Sequence, residues 1–221
     1  MELAIIVQQK SLLTHPFYQL WLQGKLPMSA LQKYTTQYYQ LVEHLPKWIS
    51  LLHTNCSDIS TRKILIHNLM EEELGDGNGG IAHTDLWVDF GEEVGASREE
   101  VIEGALLPET KEAIETIQGL CASSLGEGAA ALFAYESQVP AISEEKIGAL
   151  AQYGITSAKA LRFFEVHKTA DIKHTAVWDA LARKHRTGKE EETAGKVADA
   201  LWTMFDGMYR EYVPEELKCG C

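Results

Sequence analysis

The chain has 221 residues, 45% hydrophobic and 24% charged, so it can bury a sizeable core as one globular domain spanning 1–221. Its net charge of −12 disfavours nucleic acid or an anionic membrane as the main partner, because phosphate groups would be repelled. No apolar run approaches the ~18–20 residues that cross a bilayer, so we expect no membrane association.

The cysteines and the first residues bear on where the protein works. Cys56, Cys121, Cys219 and Cys221 are scattered in a chain too large to need disulfides, which is typical of reduced thiols in a cytoplasm. Residues 1–13 lack the basic stretch and cleavage site of a signal peptide. We therefore expect a cytoplasmic location, with the Cys219–Cys221 tail an incidental end.

Apolar residues recur with helical spacing along most of the chain, and there are only six prolines. The alternating, β-branched pattern of strands is not evident. An all-α fold is predicted, with helices at 2–14, 28–54, 58–74, 82–95, 110–122, 124–153, 157–187 and 190–212.

Capping residues and helix breakers indicate where these helices end. The glycine-rich segment 75–80 predicts a loop, and Pro46 and Pro140 should kink or break the helices around them. The expected N-caps are Ser29, Asp58 and Ser97, the last paired with Glu100 in a capping box that opens a short turn.

The strongest chemical pattern lies in the predicted helix 157–187. His167, Asp171 and His174 are spaced i, i+4 and i+7, so they fall within about 60° of one another. Apolar residues share that side, so three ligand-type side chains interrupt the stripe that should face the core. A metal ion would offset the cost of burying the carboxylate. The alternatives are mutual hydrogen bonding of the three side chains, or a wrongly phased stripe.

Glu136 behaves in the same way on another predicted helix. Leu132, Ala129 and Leu125 precede it by 4, 7 and 11 residues, so the carboxylate continues an apolar line. A metal ion or a buried ion-pair partner would satisfy it, and the triplet in the later helix favours the metal.

A run of three acids, Glu71, Glu72 and Glu73, precedes the glycine-rich loop, and His83 follows it. One helical line of apolar residues continues into Glu72, and a second line continues into Glu73. Periodicity therefore does not decide which of the two carboxylates faces inward. The alternative is a solvated acidic face with an exposed His83.

Together these side chains supply three carboxylates and three imidazoles from four helices. Two divalent cations bring +4 against −3, and one bridging hydroxide would neutralise the site. Carboxylate and imidazole ligands without thiolate favour Fe or Mn over structural zinc, and helical bundles hold such sites between facing helices. The predicted two-metal site comprises Glu72, His83, Glu136, His167, Asp171 and His174.

Aromatic residues surround this predicted site. Tyr34 and Tyr38 belong to one helical stripe, Tyr18 precedes it, and Tyr135 adjoins the Glu136 carboxylate. Such a stripe is more often simple core, but buried phenols near an oxidising metal pair would be electron donors or substrates. Lys146 follows ten residues after Glu136, and the plain interpretation is an exposed lysine.

Several motifs in order carry a family resemblance over nearly the whole chain. They are HPFYQLW at 15–21, LQKYTTQYY at 31–39, NLMEEE at 68–73, HTDLW at 83–87, YESQVP at 135–140 and the triplet His167, Asp171, His174. The sequence resembles the haem-oxygenase-like di-metal oxidases, in the branch of the Chlamydia protein associating with death domains (CADD). TenA-type and PqqC-type proteins are more distant members of that fold.

The resemblance implies a bundle of seven to eight helices with a di-iron or iron–manganese site that uses O2 and an external reductant. It implies p-aminobenzoate synthesis for folate from the protein's own tyrosine, with a lysine as amino donor, and we expect a homodimer. Matched motif by motif, the sacrificed tyrosine is Tyr18, the assisting tyrosines are Tyr34 and Tyr135, and the lysine is Lys146. The metal ligands fall on Glu72, His83, Glu136, His167, Asp171 and His174.

One departure is the spacing of eleven residues between Glu72 and His83, which is long for this family. The loop either bulges outward or leaves the first metal less firmly held, and Glu73 is the possible substitute ligand.

Other functions compete with this hypothesis. A di-metal oxidase acting on an external small acid or amine is the first rival. A metal-free TenA-like thiamin hydrolase is disfavoured because alanines stand where its cysteine nucleophile would lie, and Cys121 is too far upstream. Haem oxygenase proper would need an axial histidine, and only His15, beside Pro16, is available. A pure interaction module is the last rival.

Overall fold

The computed structural model describes residues 3–75 and 80–218, and within them it contains helices and no strand. The helices are α1 Leu3–Gln8, α2 Pro16–Leu22, α3 Met28–Asn55, α4 Ile59–Leu74, α5 His83–Glu93, α6 Arg98–Glu103, α7 Pro108–Ser123, α8 Leu125–Glu136, α9 Val139–Leu150, α10 Ala158–Lys184 and α11 Glu190–Tyr212. In this part of the chain eight of them, α3–α5 and α7–α11, have at least 11 residues. The all-α expectation is confirmed.

Helix α10 lies at the centre of the arrangement. It packs against α5, α8 and α9, while α3 packs against α4, α5 and α7. Helix α11 covers α7 and α8 from the other side. One hydrophobic core runs through these contacts, and the polar cluster described below lies within it, between α4, α5, α8 and α10.

Two of the three expected caps are confirmed. The Asp58 carboxylate opens α4 by accepting from the Ser60 and Thr61 amides, and Ser97 and Glu100 form the reciprocal capping box of α6. The Ser29 cap is wrong. Helix α3 begins one residue earlier, at Met28, with Pro27 as its extended N-cap.

Helix α2 was missed because seven residues are too few to display periodicity. The helix begins at Pro16, whose missing N–H costs nothing in the first turn, and the His15 ring accepts from the Phe17 amide at 3.1 Å. Residues 2–14, expected as one helix, form α1 followed by a 3-10 turn at Leu12–Thr14.

The two internal prolines act differently from each other. The predicted helix 124–153 is divided into α8 and α9 at residues 137–138, and Pro140 lies in the first turn of α9, where it needs no hydrogen-bond donor. Helix α3, in contrast, continues through Pro46 without a break.

The first and last residues of the glycine-rich segment after α4 lie close together. Gly75 has a φ of 73° and ends α4, and a Cβ on Gly75 would lie 2.6 Å from the Gly80 Cα. The ends of the predicted 75–80 loop therefore touch, while residues 76–79 lie outside the described part.

The cysteine and membrane expectations are tested only in part. Cys56 and Cys121 are buried free thiols, as expected, while the Cys219–Cys221 tail lies outside the described residues. Among the described helices, none combines the length and apolar character that a bilayer crossing requires.

Candidate metal centre

Helix α10 presents its ligand-type side chains to the interior, as its periodicity predicts. The Ser157 side chain caps the helix by accepting from the Ala160 amide. His167, Asp171 and His174 are 5%, 2% and 3% exposed, so all three lie within the core.

Six buried side chains from four helices form two adjoining groups. Within each group, the potential ligand atoms all lie within 4.8 Å of one another. Group one is Glu72 of α4, His83 of α5 and His167, and group two is Glu136 of α8, Asp171 and His174. These are the six residues that the sequence brought forward.

The choice within the acidic run is also visible. Glu72 is 3% exposed and its Oε2 lies 2.6 Å from His83 Nδ1, whereas Glu73 is exposed on α4. Of the two carboxylates that periodicity left open, Glu72 therefore faces the cluster and Glu73 faces solvent.

Hydrogen bonds around the two groups fix several of the side chains. His167 Nδ1–H donates to the Phe163 carbonyl at 2.7 Å, one turn earlier on α10. Trp178 Nε1–H donates to Glu136 Oε2 at 2.8 Å. Such outer partners orient metal-binding side chains and set which imidazole nitrogen is free.

Burial and crowding of acids perturb the titration of the second group. Burial raises the pKa of Glu136 well above its ordinary value, and the Asp171 and Glu72 carboxylates add to a shift that His174 opposes. Burial lowers the pKa of His174, but its hydrogen bond with Asp171 and the charge of Glu136 outweigh this and raise it to about 10. Excess negative charge in this group is what a cation would compensate.

Within the cluster, two carboxylate oxygens lack any hydrogen-bond partner among the described residues. Glu72 Oε1 and Glu136 Oε1 are both buried in this state, which costs about 1–3 kcal/mol for each unsatisfied group. Oxygen and imidazole donors without thiolate suit iron or manganese. The residues present therefore fit a pair of such ions.

A cavity of about 10 Å3 lies beside both groups, room for about one water-sized molecule. Its walls are Tyr38, Val42, Leu45, Glu72, Tyr135, Glu136, Val139, Phe163, His167 and Asp171. A space of this size suits a molecule as small as water.

Lys146 is buried, at 1% exposed, so its interpretation as a surface lysine is wrong. Its Nζ donates to the Tyr34 hydroxyl at 2.6 Å and stands 4.8 Å from the centre of the Tyr18 ring. Burial lowers the pKa of Lys146 well below its ordinary value, because the cation loses its hydration. We call its aromatic enclosure the lysine box: Tyr18, Trp21, Tyr34, Tyr38 and Phe164.

Tyr38 contacts both the lysine box and the cavity. The sequence did not predict this position. Its ring lies 5.2 Å from Lys146 Nζ and 5.3 Å from the Tyr34 ring, and it lines the cavity together with Tyr135. Its position one turn after Tyr34 was the available signal. Glu71, whose Oε2 lies 2.5 Å from His174 Nε2, was also not predicted to contact the cluster, since an acidic run predicts a solvated face.

Comparison with known proteins assigns the chain to a family. A family model described as iron-containing redox enzyme matches residues 32–209. The chain belongs to the iron-containing redox enzymes. Within 93% of its length, this redox enzyme is 35% identical to the 4-aminobenzoate synthase of Chlamydia muridarum, covering 87% of that protein. The 4-aminobenzoate synthase of Nitrosomonas europaea is also 35% identical, with 94% of this chain and 89% of that protein covered.

Solved structures share the fold of this redox enzyme at low sequence identity. A CADD-like protein from Nostoc punctiforme superposes with a TM-score of 0.69 at 19% identity, covering 97% of this chain and all (100%) of that chain. A TenA homologue from P. horikoshii gives 0.75 at 13% identity, with 95% and 97% covered. The haem-oxygenase-like architecture expected from the sequence is confirmed.

Proposed function

We propose that this protein makes 4-aminobenzoate (p-aminobenzoate) from its own Tyr18 side chain, using O2, an external reductant and a pair of metal ions. The observation that carries the proposal is the juxtaposition of a buried amine, Lys146, with the Tyr18 ring beside a cluster able to bind two metals. The similarity to proteins named 4-aminobenzoate synthase supports the same assignment.

Glu72, His83 and His167 would hold one ion, and Glu136, Asp171 and His174 the other. Iron is the expected metal, with an iron–manganese pair as the variant. Once bound, the pair would supply the oxidising power of O2, which protein side chains lack. The chain contributes the enclosure, since the 10 Å3 cavity admits O2 but little else.

Lys146 would act as a neutral amine and nitrogen donor. Its lowered pKa leaves the nitrogen lone pair available, and its hydrogen bond to the Tyr34 hydroxyl holds Nζ within the lysine box. The Tyr18 ring is fully buried against Phe205 and Trp21, with ring centres 4.7 and 6.1 Å away. Water is therefore kept from the reacting groups.

Tyr34 and Tyr135 would pass electrons between Tyr18 and the metal cluster. Burial raises the pKa of both phenols well above their ordinary values, so each keeps its proton until it is oxidised. Tyr135 lines the cavity and Tyr34 contacts Lys146, so the two stand at opposite ends of the path.

The experiment labels the protein itself. Protein carrying 13C-tyrosine and 15N-lysine is loaded with Fe(II), with and without Mn(II), and exposed to O2 and a reductant. We expect doubly labelled 4-aminobenzoate, at most one molecule per chain, and a matching mass loss at Tyr18. Tyr18→Phe should abolish the product, whereas Tyr39→Phe, on the same helix as Tyr34 but outside the lysine box, should not. Unlabelled product, or full yield from Tyr18→Phe, would refute self-sacrifice.

Oxidation of an external small molecule is the second candidate. A surface cleft of about 400 Å3 is lined by His83, His174, Arg162 and Lys173, among others, and would be able to hold a small acid. Release of many products per chain, with Tyr18 intact, would favour this function.

The single domain, homodimer and cytoplasmic location remain predictions, as does the absence of nucleic-acid and membrane partners. Light scattering of the purified protein tests the dimer, and limited proteolysis tests the domain. Fractionation of the source cells tests the location, and nuclease and lipid analysis of the purified material tests the excluded partners.

A further inference from the structure

Glu71 is the member of the acidic run whose role is still unexplained. Glu72 points into the cluster and Glu73 is exposed, whereas the Glu71 side chain is 34% exposed at the edge of the 400 Å3 cleft. Its Oε2 lies 2.5 Å from Nε2 of His174, a residue that is itself 3% exposed. Glu71 therefore joins the buried cluster to solvent.

The contact determines which nitrogen of His174 is available to a cation. A carboxylate can only accept a hydrogen bond, so His174 Nε2 carries the proton and donates a hydrogen bond to Glu71. The other nitrogen, Nδ1, lies 3.5 Å from Asp171 Oδ1, 3.6 Å from Glu136 Oε2 and 3.9 Å from Glu72 Oε1. Nδ1 is thus the atom placed among the carboxylate oxygens.

We propose that Glu71 is a positioning residue, which fixes the ring orientation and proton arrangement of His174 so that Nδ1 faces the metal pair. The inference rests on metal binding by the proposed centre and not on the identity of the product. A carboxylate behind a metal-bound imidazole also makes that imidazole a stronger ligand.

The imidazole of His167 is held by a different kind of hydrogen-bond acceptor. His167 donates through Nδ1–H to a backbone carbonyl, which no side-chain substitution removes. Glu71, in contrast, is a replaceable side chain, with its other oxygen 3.2 Å from Nδ1 of the exposed His67. The Nε2 side of the His174 ring is therefore held by one replaceable carboxylate.

Metal affinity tests the proposal directly. Chelator-treated full-length protein is titrated with Mn(II), and free Mn(II) is read by electron paramagnetic resonance. We expect Glu71→Ala to bind about 10–100-fold more weakly than the wild type at one of the two sites. Glu71→Gln should recover part of the loss, because its amide oxygen still accepts from His174. Glu73→Ala, on the same helix turn but exposed, should bind like the wild type.

A spectroscopic measurement separates positioning from a general loss of structure. In Zn(II)-loaded protein with 15N-histidine, the His174 Nε2–H proton should exchange slowly in the wild type and in Glu71→Gln. In Glu71→Ala the same proton faces the cleft water and should exchange at least tenfold faster. If the alanine variant folds poorly, slow exchange of the His174 Nε2–H proton in the wild type and in Glu71→Gln still tests the proposal.

The proposal is overturned by wild-type Mn(II) affinity in Glu71→Ala, by an equal loss in Glu73→Ala, or by a wild-type His174 whose Nε2 carries no proton. Failure of the proposed function looks different. In that case metals bind and respond to Glu71 as described, but no labelled 4-aminobenzoate is formed.

Discussion

Trp178→Phe tests whether the buried Glu136 carboxylate is held by the hydrogen bond described above. Trp178 Nε1 is the donor to Glu136 Oε2, and Glu136 Oε1 has no partner among the described residues. Leaving such a buried acceptor without its donor costs about 1–3 kcal/mol beyond the lost ring volume. For a chain of this size, that cost corresponds to a melting temperature about 2–12 °C lower.

The matched control is Trp48→Phe. Both indoles are fully buried, but Trp48 Nε1 has no hydrogen-bond partner among the described residues, so this control shows the effect of the lost ring volume alone. Calorimetry of metal-free and metal-loaded samples should show an excess loss for Trp178→Phe without metal, and a smaller excess with metal, because a cation then partners Glu136. Equal losses in the two variants, or an excess that metal leaves unchanged, would refute the reasoning.

Three further predictions follow from the same geometry. A metal ion present at 100 times the dissociation constant of its site adds ~2.7 kcal/mol to the free energy of unfolding. Removing it with a chelator should therefore lower the melting temperature of the wild type by about 5–11 °C for each site that was filled. An Asp171→Asn variant that shows the same drop would contradict the assigned ligands. Because burial lowers the pKa of Lys146, the unfolded chain binds a proton that the folded chain does not, so the wild type gains stability as pH rises toward 10.5. Lys146→Met lacks this gain, so its free energy of unfolding relative to that of the wild type should fall as pH rises. Urea titrations between pH 7 and 9 should show this difference falling by about 1.4 kcal/mol for each pH unit in which the folded-state amine stays neutral. Tyr38→Phe should keep the metal content and lose most of the 4-aminobenzoate, because Tyr38 joins the cavity to the lysine box; an unchanged yield in the same assay would remove it from the path.

Sequence periodicity was sufficient for the residues on long, regular helices. The triplet of α10 and Glu136 of α8 were predicted to face inward because charged side chains interrupt an apolar line only where something compensates them. The same logic left Glu72 and Glu73 undecided, since α4 carries apolar residues on both lines. Isoleucine and methionine side chains remain exposed on α4, so its apolar pattern does not mark its buried side.

The parts that could not be predicted depend on contacts between distant segments. Glu71 meets His174 across 103 residues, and Lys146 meets Tyr34 across 112, so no local spacing reports either pair. Helix α2 is set by a proline and a histidine cap and not by periodicity. The buried position of Lys146 became visible only when the aromatic residues of three helices, α2, α3 and α10, were assembled around it.

Because Gly75 and Gly80 lie in contact, the number of residues between them does not set the geometry of the metal centre. Because the two ends of the turn meet, residues can be added between them without changing the distance from α4 to α5. The position between Gly75 and Gly80, which are three residues from Glu72 and from His83 respectively, therefore offers a place to insert a reporter peptide or a spin label while both ligands stay in register.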